Sequence, residues 1–294
     1  MTWWKEASEV MPCVSVIMPA QNEEPYIGAA IESVLQQSYS NLELLVINDY
    51  SVDRTAEVVC TFRDPRIRLC CKTDGPPGRA ASRNLGIQMA RGAFIAYQDA
   101  DDYSHPNRIE LQVREALAGD RPRAVGTWVE RRTATGSRTC QLPVCHEQIV
   151  AGFRRAYNRV TLVAGTMLLP RSIALAIPFR ARFKYLEDWD QICRIHESGT
   201  AEFRNLPEVL YTYNIRPKGS KGQQDWACYN VFERACRARR RAGLAEWSSL
   251  EQFEAYLADS PLDCLIWTGC RQLVRLKASI EMRLARATPR GLPE

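Results

Sequence analysis

Three closely spaced carboxylates form the most chemically suggestive stretch of the chain. The run "AFIAYQDADDYSHPNR", residues 93–108, places Asp99, Asp101 and Asp102 directly after an apolar segment. Carboxylates this close repel one another, and burying them without a counter-charge is strongly unfavourable. A divalent cation that also binds phosphate oxygens would compensate them. The pattern predicts a metal site, and a turn followed by a helix cap is the alternative explanation.

Asp49 is a second candidate, because it closes the apolar run "LELLVIND" at 42–49. An acid at the end of a buried strand can accept hydrogen bonds from a nucleotide base or ribose. The alternative is a capping role, with Ser51 or Asp53 beginning the next helix.

Glu187 and Asp188 begin a segment with helical spacing, "EDWDQICRIHESG". The helix dipole favours acids in a first turn, which is one explanation of the pair. Apolar bulk from Tyr185, Leu186 and Trp189 surrounds them, however. Such surroundings can raise a carboxylate pKa, so one of the two acids is a candidate general base.

Two groups of residues are candidates for binding phosphate. Arg79 and Arg83 lie about one turn apart at the start of a predicted helix over 78–92, where the dipole favours anions. Ordinary surface ion pairs are the alternative. The second group lies in or beside the predicted loop at 217–224, for which a surface loop without a ligand is the alternative. Its members are Arg216, Lys218, Ser220 and Lys221. Glu187 and Trp189 are further candidates for contact with the acceptor or the diphosphate.

Strands alternate with helices in the first 120 residues, which indicates an α/β fold with a mostly parallel sheet. The predicted strands are 14–20, 42–49, 66–71 and 93–99. Polar groups gather beyond the carboxyl ends of such strands. Pro19, Ala20, Asp49 and the acids from Asp99 onward should therefore meet at one edge of the sheet.

The pattern changes after residue 120. We expect a helix cap at Ser104 with Pro106 in the first turn, and a helix over 184–199. Strands are expected at 124–132 and 160–170, and as two short pieces within 202–216. From 226 onward the chain reads as helical, with a break near 258–261.

Composition excludes several classes of protein. The chain has 294 residues and a net charge of +5, with no apolar run long enough to span a membrane and no secretory leader pattern, so we expect a cytoplasmic location. Its 11 cysteines form no CxxC motif, which favours reduced thiols over a zinc site. Neither GxGxxG nor GxxxxGK[ST] occurs, and no nucleic-acid partner is expected.

Four stretches, in this order, resemble the family 2 glycosyltransferases, an inverting group with the GT-A fold. They are "VSVIMPAQNEEPYIGAAIESVLQQSY", "LELLVINDYSVDRT", "GRAASRNLGIQMARGAFIAYQDADD" and "LEDWD". Together they span about residues 13–215. The resemblance implies a GT-A sheet flanked by helices and a transferase that binds a nucleotide-diphosphate sugar.

The resemblance also implies site roles. Asp188 matches the catalytic base, which accepts the proton of an acceptor hydroxyl in a single inverting displacement. Asp99 and Asp101 match the DxD motif that binds ribose and Mg²⁺ or Mn²⁺, with Asp101 as the direct ligand and Asp102 beside it. The other donor-binding positions on this pattern are Pro19, Ala20, Glu23 and Asp49, of which Asp49 would hold the base, often uracil.

Two departures from the family pattern affect the expected function. Tyr50 replaces a small residue in the loop after the second strand, which leaves donor preference open. The QxxRW motif of processive synthases is absent, so transfer of a single sugar is expected. The alternatives are a non-catalytic nucleotide- or glycan-binding scaffold and a sugar nucleotidyltransferase. The acidic text "PAQNEE" after the first strand disfavours the nucleotidyltransferase.

The expected domain organisation is a GT-A domain over 1–225 and a helical extension over 226–294. Within the first domain, 13–120 would bind the nucleotide and 121–225 the acceptor, a glycan or a lipid-linked molecule. The basic, amphipathic segment 262–287 would contact an anionic membrane surface, or it would pack on the catalytic domain or on a second subunit of a homodimer. Packing is the favoured explanation.

Overall fold

The computed structural model describes residues 11–154, 161–216 and 220–259. The chain forms two compact units. One contains the residues up to Ala181 together with Glu187–Arg216, and the other contains Arg182–Leu186 and the chain from 217 onward. None of the helices within the described ranges is long and apolar enough to cross a bilayer.

The first unit begins with parallel β–α–β units around four buried or half-buried strands. The strands are β1 Val14–Ala20, β2 Leu42–Asn48, β3 Ile67–Cys71 and β4 Phe94–Tyr97, and the helices between them are α1 Ile27–Leu35, α2 Thr55–Thr61 and α3 Arg79–Met89. The strand order is β3-β2-β1-β4, and all three pairings are parallel. Every residue of β1 and β2 is buried, which explains their unbroken apolar runs. The predicted α/β fold is confirmed.

The remaining elements extend this sheet on the β4 side. They are β5 Tyr103–Ser104, α4 Arg108–Leu117, β6 Arg123–Thr133, β7 Gly136–Cys140, α5 His146–Arg154, β8 Leu168–Pro170, α6 Arg171–Ala176, α7 Glu187–Ser198 and β9 Glu202–Asn214. The order continues β4-β8-β6-β9-β5, with β7 paired to β6. β8 is antiparallel to both β4 and β6, whereas β6 and β9 are parallel, so the sheet is mixed.

Two strand predictions in this half were wrong. The strand predicted over 160–170 is confined to its last three residues, because a 3₁₀ turn occupies Ala164–Thr166. The two short strands predicted within 202–216 form the single strand β9. The pairing of β9 with β6 skips Pro207 and Glu208, since Leu206 pairs with Thr127 and Val209 with Trp128. This irregularity accommodates a proline that has no N–H to donate.

Two other local predictions were also wrong. Ser104 does not cap a helix: it lies in β5, and its hydroxyl donates to Gln98 Oε1 at 2.6 Å. The α4 helix begins at Arg108, four residues later. The segment predicted as a loop over 217–224 is helical from Ser220 onward, because a long helix starts there.

The second unit contains the helices α8 Ser220–Arg241 and α9 Leu250–Asp259. Its core is aromatic: the Phe232 ring lies 5.2 Å from that of Phe183 and 5.7 Å from that of Phe253. The helical character expected from 226 onward is present as far as residue 259, with an additional break between residues 241 and 250. The α9 helix ends at Asp259, inside the break predicted near 258–261, and residues 260 and 261 lie outside the described ranges. The amphipathic segment 262–287 lies outside the described residues, and the domain boundary at 225 stays a prediction.

The contact between α3 and β1 leaves no room for a side chain at Gly86. A Cβ there would lie 2.6 Å from Ile17 Cγ2, whereas a Cβ at Gly28 in α1 would have Val58 Cγ1 as its nearest neighbour at 3.8 Å. We expect Gly86→Ala to lower the free energy of unfolding by about 1–3 kcal/mol through overpacking. Gly28→Ala, the matched control, should be neutral or stabilising by up to about 1 kcal/mol. Urea unfolding measures both, and equal effects would contradict this packing.

Candidate functional site

The ends of β1 and β2 meet at the predicted edge of the sheet. Pro19 and Ala20 are buried there, and the Asp49 N–H donates to the Ala20 carbonyl at 2.8 Å. The adjacent ends of parallel strands bring these residues together, as expected from the alternating pattern.

The carboxylate of Asp49 is already fully paired. Lys72 Nζ donates to Oδ1 at 2.7 Å, and the Gly78 N–H donates to Oδ2 at 2.7 Å. The side chains of Lys72 and Asp49 are each only 4% exposed. Lys72 Nζ also donates to the Pro76 carbonyl at 2.6 Å. Asp49 thus anchors the segment between β3 and α3 through a buried ion pair.

Tyr50 occupies the turn that follows β2. Its φ of 56° is left-handed, a conformation that costs a non-glycine residue about 1–2 kcal/mol. The Tyr50 hydroxyl donates to the Gly75 carbonyl at 2.9 Å, and Lys72 Nζ lies 5.2 Å from the centre of the ring. The departure from a small residue noted in the sequence therefore gives Asp49 an aromatic neighbour that contacts the same segment.

Arg83 connects two acidic motifs that are distant in sequence. Its Nη2 donates to Asp99 Oδ1 and its Nη1 to Glu187 Oε1, each at 2.9 Å. The guanidinium is 3% exposed, and the Glu187 side chain is 1% exposed. Arg79, one turn earlier, is 54% exposed and places Nε 3.1 Å from the same Glu187 oxygen. The amino end of α3 thus binds the end of β4 to the first residue of α7.

Asp188 follows this buried anchor and is only half-buried. Its Oδ1 accepts a hydrogen bond from the Trp189 N–H at 2.7 Å. Burial raises the pKa of Glu187, with the Asp188 charge acting in the same direction and Arg79 opposing it. Trp189, a candidate acceptor contact, is instead buried edge-to-face against Phe153, with ring centres 5.1 Å apart.

Asp101 and Glu23 share one cation, Arg216. Arg216 Nη2 lies 2.6 Å from Asp101 Oδ2 and donates to Glu23 Oε1 at 2.7 Å. Burial raises the pKa of Asp101, as does the charge of Asp99, while Arg216 opposes the shift. Burial likewise raises the pKa of Glu23.

Asp102 differs from its two neighbours because it is buried. Its Oδ1 accepts a hydrogen bond from the Asn214 N–H at 2.8 Å. Burial, together with the charges of Asp99 and Asp101, raises the pKa of Asp102 to about 9. Asp102 therefore holds the end of β9 rather than facing the open edge.

The donor set at this edge suits a divalent cation that arrives with a phosphate. No group of three or more His, Cys, Asp or Glu side chains in the described ranges is arranged to hold a metal by itself. An ion of the Mg²⁺ type needs only one or two carboxylates when substrate phosphate completes its shell. Asp99 and Asp101 are 25% and 18% exposed, and Glu23 Oε2 is buried with no hydrogen-bond partner in the described part of the chain. These three acids fit the ion, whereas Oδ1 of the buried Asp102 already accepts a hydrogen bond from the Asn214 N–H.

Sequence reasoning missed two buried cations and a tyrosine. Lys72 follows β3 directly, so the rule that located Asp49 would have found it. Arg108 donates to the carbonyls of Gly165 and Tyr97 and lies 5.2 Å from the centre of the Tyr211 ring. The Tyr211 hydroxyl accepts from the Asp99 N–H at 3.1 Å. No sequence pattern indicated Arg108 or Tyr211.

The structure does not describe the side chains of the other three members of the predicted phosphate loop. Lys218 lies outside the described residues. Ser220 begins α8, where only the backbone is described, and the same holds for Lys221.

Arg83 and Arg79 contact the same oxygen of Glu187, so their substitution gives a matched pair of variants. Arg83→Gln leaves a buried carboxylate without its main partner, so we expect it to lower the free energy of unfolding by about 3–5 kcal/mol. Arg79→Gln removes an exposed contact and should lower it by less than about 1 kcal/mol. Chemical denaturation measures both. Similar losses would show that Arg83 does not hold the two motifs together.

One curated relative matches more than half of the chain. The Escherichia coli protein named UDP-Glc:alpha-D-GlcNAc-diphosphoundecaprenol beta-1,3-glucosyltransferase WfgD is 34% identical over 182 residues. The match covers 60% of this chain and 66% of that protein, slightly less than two thirds of its length.

Solved structures of two enzymes share the fold. Glucosyl-3-phosphoglycerate synthase from Mycobacterium tuberculosis, in complex with Mn²⁺, UDP and phosphoglyceric acid, aligns with a TM-score of 0.58 and 17% identity. The alignment covers 78% of this chain and 81% of that one. S. aureus TarS with UDP-GlcNAc aligns with a TM-score of 0.56 and 20% identity, covering 75% of this chain and 65% of that one. The predicted GT-A fold is confirmed.

A family model identifies the chain itself. The model described as glycosyl transferase family 2 matches residues 15–172, from the second residue of β1 to the start of α6. This range contains Asp49, Arg83 and the acids after β4, and it is more than half of the chain. The chain belongs to glycosyl transferase family 2.

Proposed function

We propose that this protein transfers a single sugar from a UDP-linked donor to a hydroxyl group of a glycan or lipid-linked acceptor, with inversion and with the help of Mg²⁺ or Mn²⁺. One observation carries the proposal: Arg83 joins Asp99, a donor-site acid, to Glu187, the neighbour of the proposed base. The donor-site acid Asp99 and the proposed catalytic base Asp188 are thereby held at one edge of the sheet. The relative named as a UDP-Glc glucosyltransferase and the UDP complexes of proteins with this fold support a UDP-linked donor.

The donor end of the site would be formed by the ends of β1, β2 and β4. Pro19 and Ala20 would line it, and the Asp49–Lys72 pair would lie beside the base. Asp99 and Asp101 would hold the cation, which when bound stabilises the negative charge that develops on the departing diphosphate. Arg79, which is exposed beside Glu187, is suited to the phosphate side of the same site.

Asp188 is the proposed base. Its Oδ1 is occupied by the Trp189 N–H, so Oδ2 is the oxygen proposed to receive the proton of the acceptor hydroxyl. The hydroxyl oxygen then attacks the anomeric carbon from the face opposite the diphosphate, and one displacement inverts that centre. Glu187 would position the neighbouring Asp188, since the Glu187 carboxylate is bound by Arg83 and Arg79.

The acceptor and the domain organisation are part of the same proposal. We assign donor and acceptor binding to residues 1–225 and a helical extension to 226–294. The name of the E. coli relative contains a diphosphoundecaprenol acceptor, which supports a lipid-linked acceptor for this chain. Peripheral membrane contact through the basic segment 262–287 would bring that acceptor to the site, and the alternative for this segment is packing on the catalytic domain or on a second subunit of a homodimer.

Binding of UDP tests the donor site without knowledge of the sugar or acceptor. We expect calorimetry to show UDP binding that requires Mn²⁺ or Mg²⁺ and is abolished by EDTA. Asp101→Asn should weaken metal-dependent UDP binding at least about tenfold, because one charged oxygen ligand of the metal is lost. Asp64→Asn, at the opposite edge before β3, is the matched control and should bind normally. Metal-dependent UDP binding that survives in Asp101→Asn would contradict the assignment of this ligand.

Turnover distinguishes an enzyme from a scaffold. With a panel of UDP-sugars, Asp188→Asn should retain UDP affinity within about twofold, while metal-dependent release of UDP falls by about 10²–10⁴ because general base catalysis is lost. A wild-type protein that binds UDP with metal and never releases it from any UDP-sugar would support the scaffold instead.

A further inference from the structure

Arg216 occupies the position of a cation between two donor-site acids. A single nitrogen, Nη2, lies within 2.7 Å of one oxygen from Glu23 and one from Asp101. The guanidinium carbon lies 5.0 Å from the centre of the Tyr26 ring. Glu23 follows β1 and Asp101 follows β4, so this contact closes the same edge where the donor is proposed to bind.

The two acids need a positive charge between them. Both side chains are mostly buried, at 14% exposure for Glu23 and 18% for Asp101, and like charges in such surroundings repel. One guanidinium does not satisfy them completely, because Glu23 Oε2 remains without a hydrogen-bond partner among the described residues. A divalent ion carries twice the charge and accepts several oxygen ligands.

Arg216 is also a cation at this edge that another cation can replace. Its side chain is 44% exposed, whereas Arg83 is 3% exposed and fixed between Asp99 and Glu187. Its partner acids are mostly buried, so the guanidinium leaves at low cost only when another cation takes its place. The backbone before Arg216 is anchored, since Asn214 donates to Asp102 and the Ile215 N–H donates to the Arg132 carbonyl at 2.7 Å. Rotation of the Arg216 side chain alone can therefore release both acids.

We propose that Arg216 neutralises Glu23 and Asp101 while no divalent ion is bound, and exchanges with that ion when the donor enters. The released guanidinium then pairs with the donor's diphosphate, which brings an anion to the same place. Arg216 is thus a donor-binding residue whose partner changes from carboxylate to phosphate during each cycle. The inference rests on the proposed function, because it requires a metal-bound diphosphate at this edge.

Because Arg216 and the metal ion compete for the same acids, Arg216→Gln should have opposite effects on the affinity for Mn²⁺ and on the affinity for UDP. Mn²⁺ binding without nucleotide is measured by electron paramagnetic resonance titration of the free ion. Arg216→Gln should bind Mn²⁺ about three- to tenfold more tightly, because the competing guanidinium is gone. With saturating Mn²⁺, calorimetry should show UDP binding to Arg216→Gln about three- to tenfold more weakly, because a charged hydrogen bond to phosphate is lost. Arg216→Lys should have affinities for Mn²⁺ and for UDP between those of the wild-type protein and Arg216→Gln.

Arg54→Gln is the control for a general change in net charge. Arg54 is 73% exposed and pairs with Glu24, the residue next to Glu23. Arg54→Gln should change the affinities for Mn²⁺ and for UDP by less than about twofold, since exposed charges interact weakly at physiological salt. A cooperative thermal unfolding transition in Arg216→Gln would exclude a folding defect.

The outcomes separate this inference from the proposed function. Unchanged or weaker Mn²⁺ binding by Arg216→Gln, or no Mn²⁺ binding by either protein, overturns the exchange. An equal effect of Arg54→Gln on the two affinities also overturns it. If the wild-type protein binds UDP with metal in those cases, the proposed function stands and only the exchange is lost. Failure of the wild type to bind UDP with any metal overturns both.

Discussion

The rest of the candidate site depends on the two ion pairs of the Arg83 guanidinium. The guanidinium is enclosed between Asp99 and Glu187, which lie far apart in the sequence. A buried guanidinium with two carboxylate partners is compensated, whereas either acid alone in the same place would be a buried, unpaired charge. The ion pairs therefore define where α7 begins relative to the end of β4, and with it the position of Asp188.

The charges at this edge fall into two classes that differ in exposure. Lys72 with Asp49 and Arg83 with Glu187 are buried pairs, in which loss of a partner would be strongly unfavourable. Arg79 and Arg216 contact the same group of acids from the solvent side. Buried pairs give the site its geometry, and exposed pairs can be replaced by a ligand. A binding site for a charged donor needs both properties at once.

The fold was predictable in its parallel half and less so beyond it. Strands β1, β2 and β4 are short, buried along their whole length and separated by helices, so their apolar runs are continuous and easily identified. Strand β9 was predicted as two pieces because Pro207 interrupts its pattern, and only the skipped register against β6 joins them. Ser104 has the right chemistry for a helix cap, but Gln98 from the preceding loop binds its hydroxyl instead. In each case a tertiary partner overrode a local preference.

The amino-acid sequence by itself determined which acids stand at the carboxyl ends of the strands, because strand periodicity and the family motifs are both local patterns. It therefore located Asp49, Asp99 and Asp101, and helical spacing located the Glu187–Asp188 pair at the start of α7. Only the tertiary structure decided which cation each acid meets. Arg83 reaches Glu187 across 104 residues, and Arg216 reaches Glu23 across 193. Such pairings depend on how strands and helices pack and on which charges packing removes from water, and no local pattern records either.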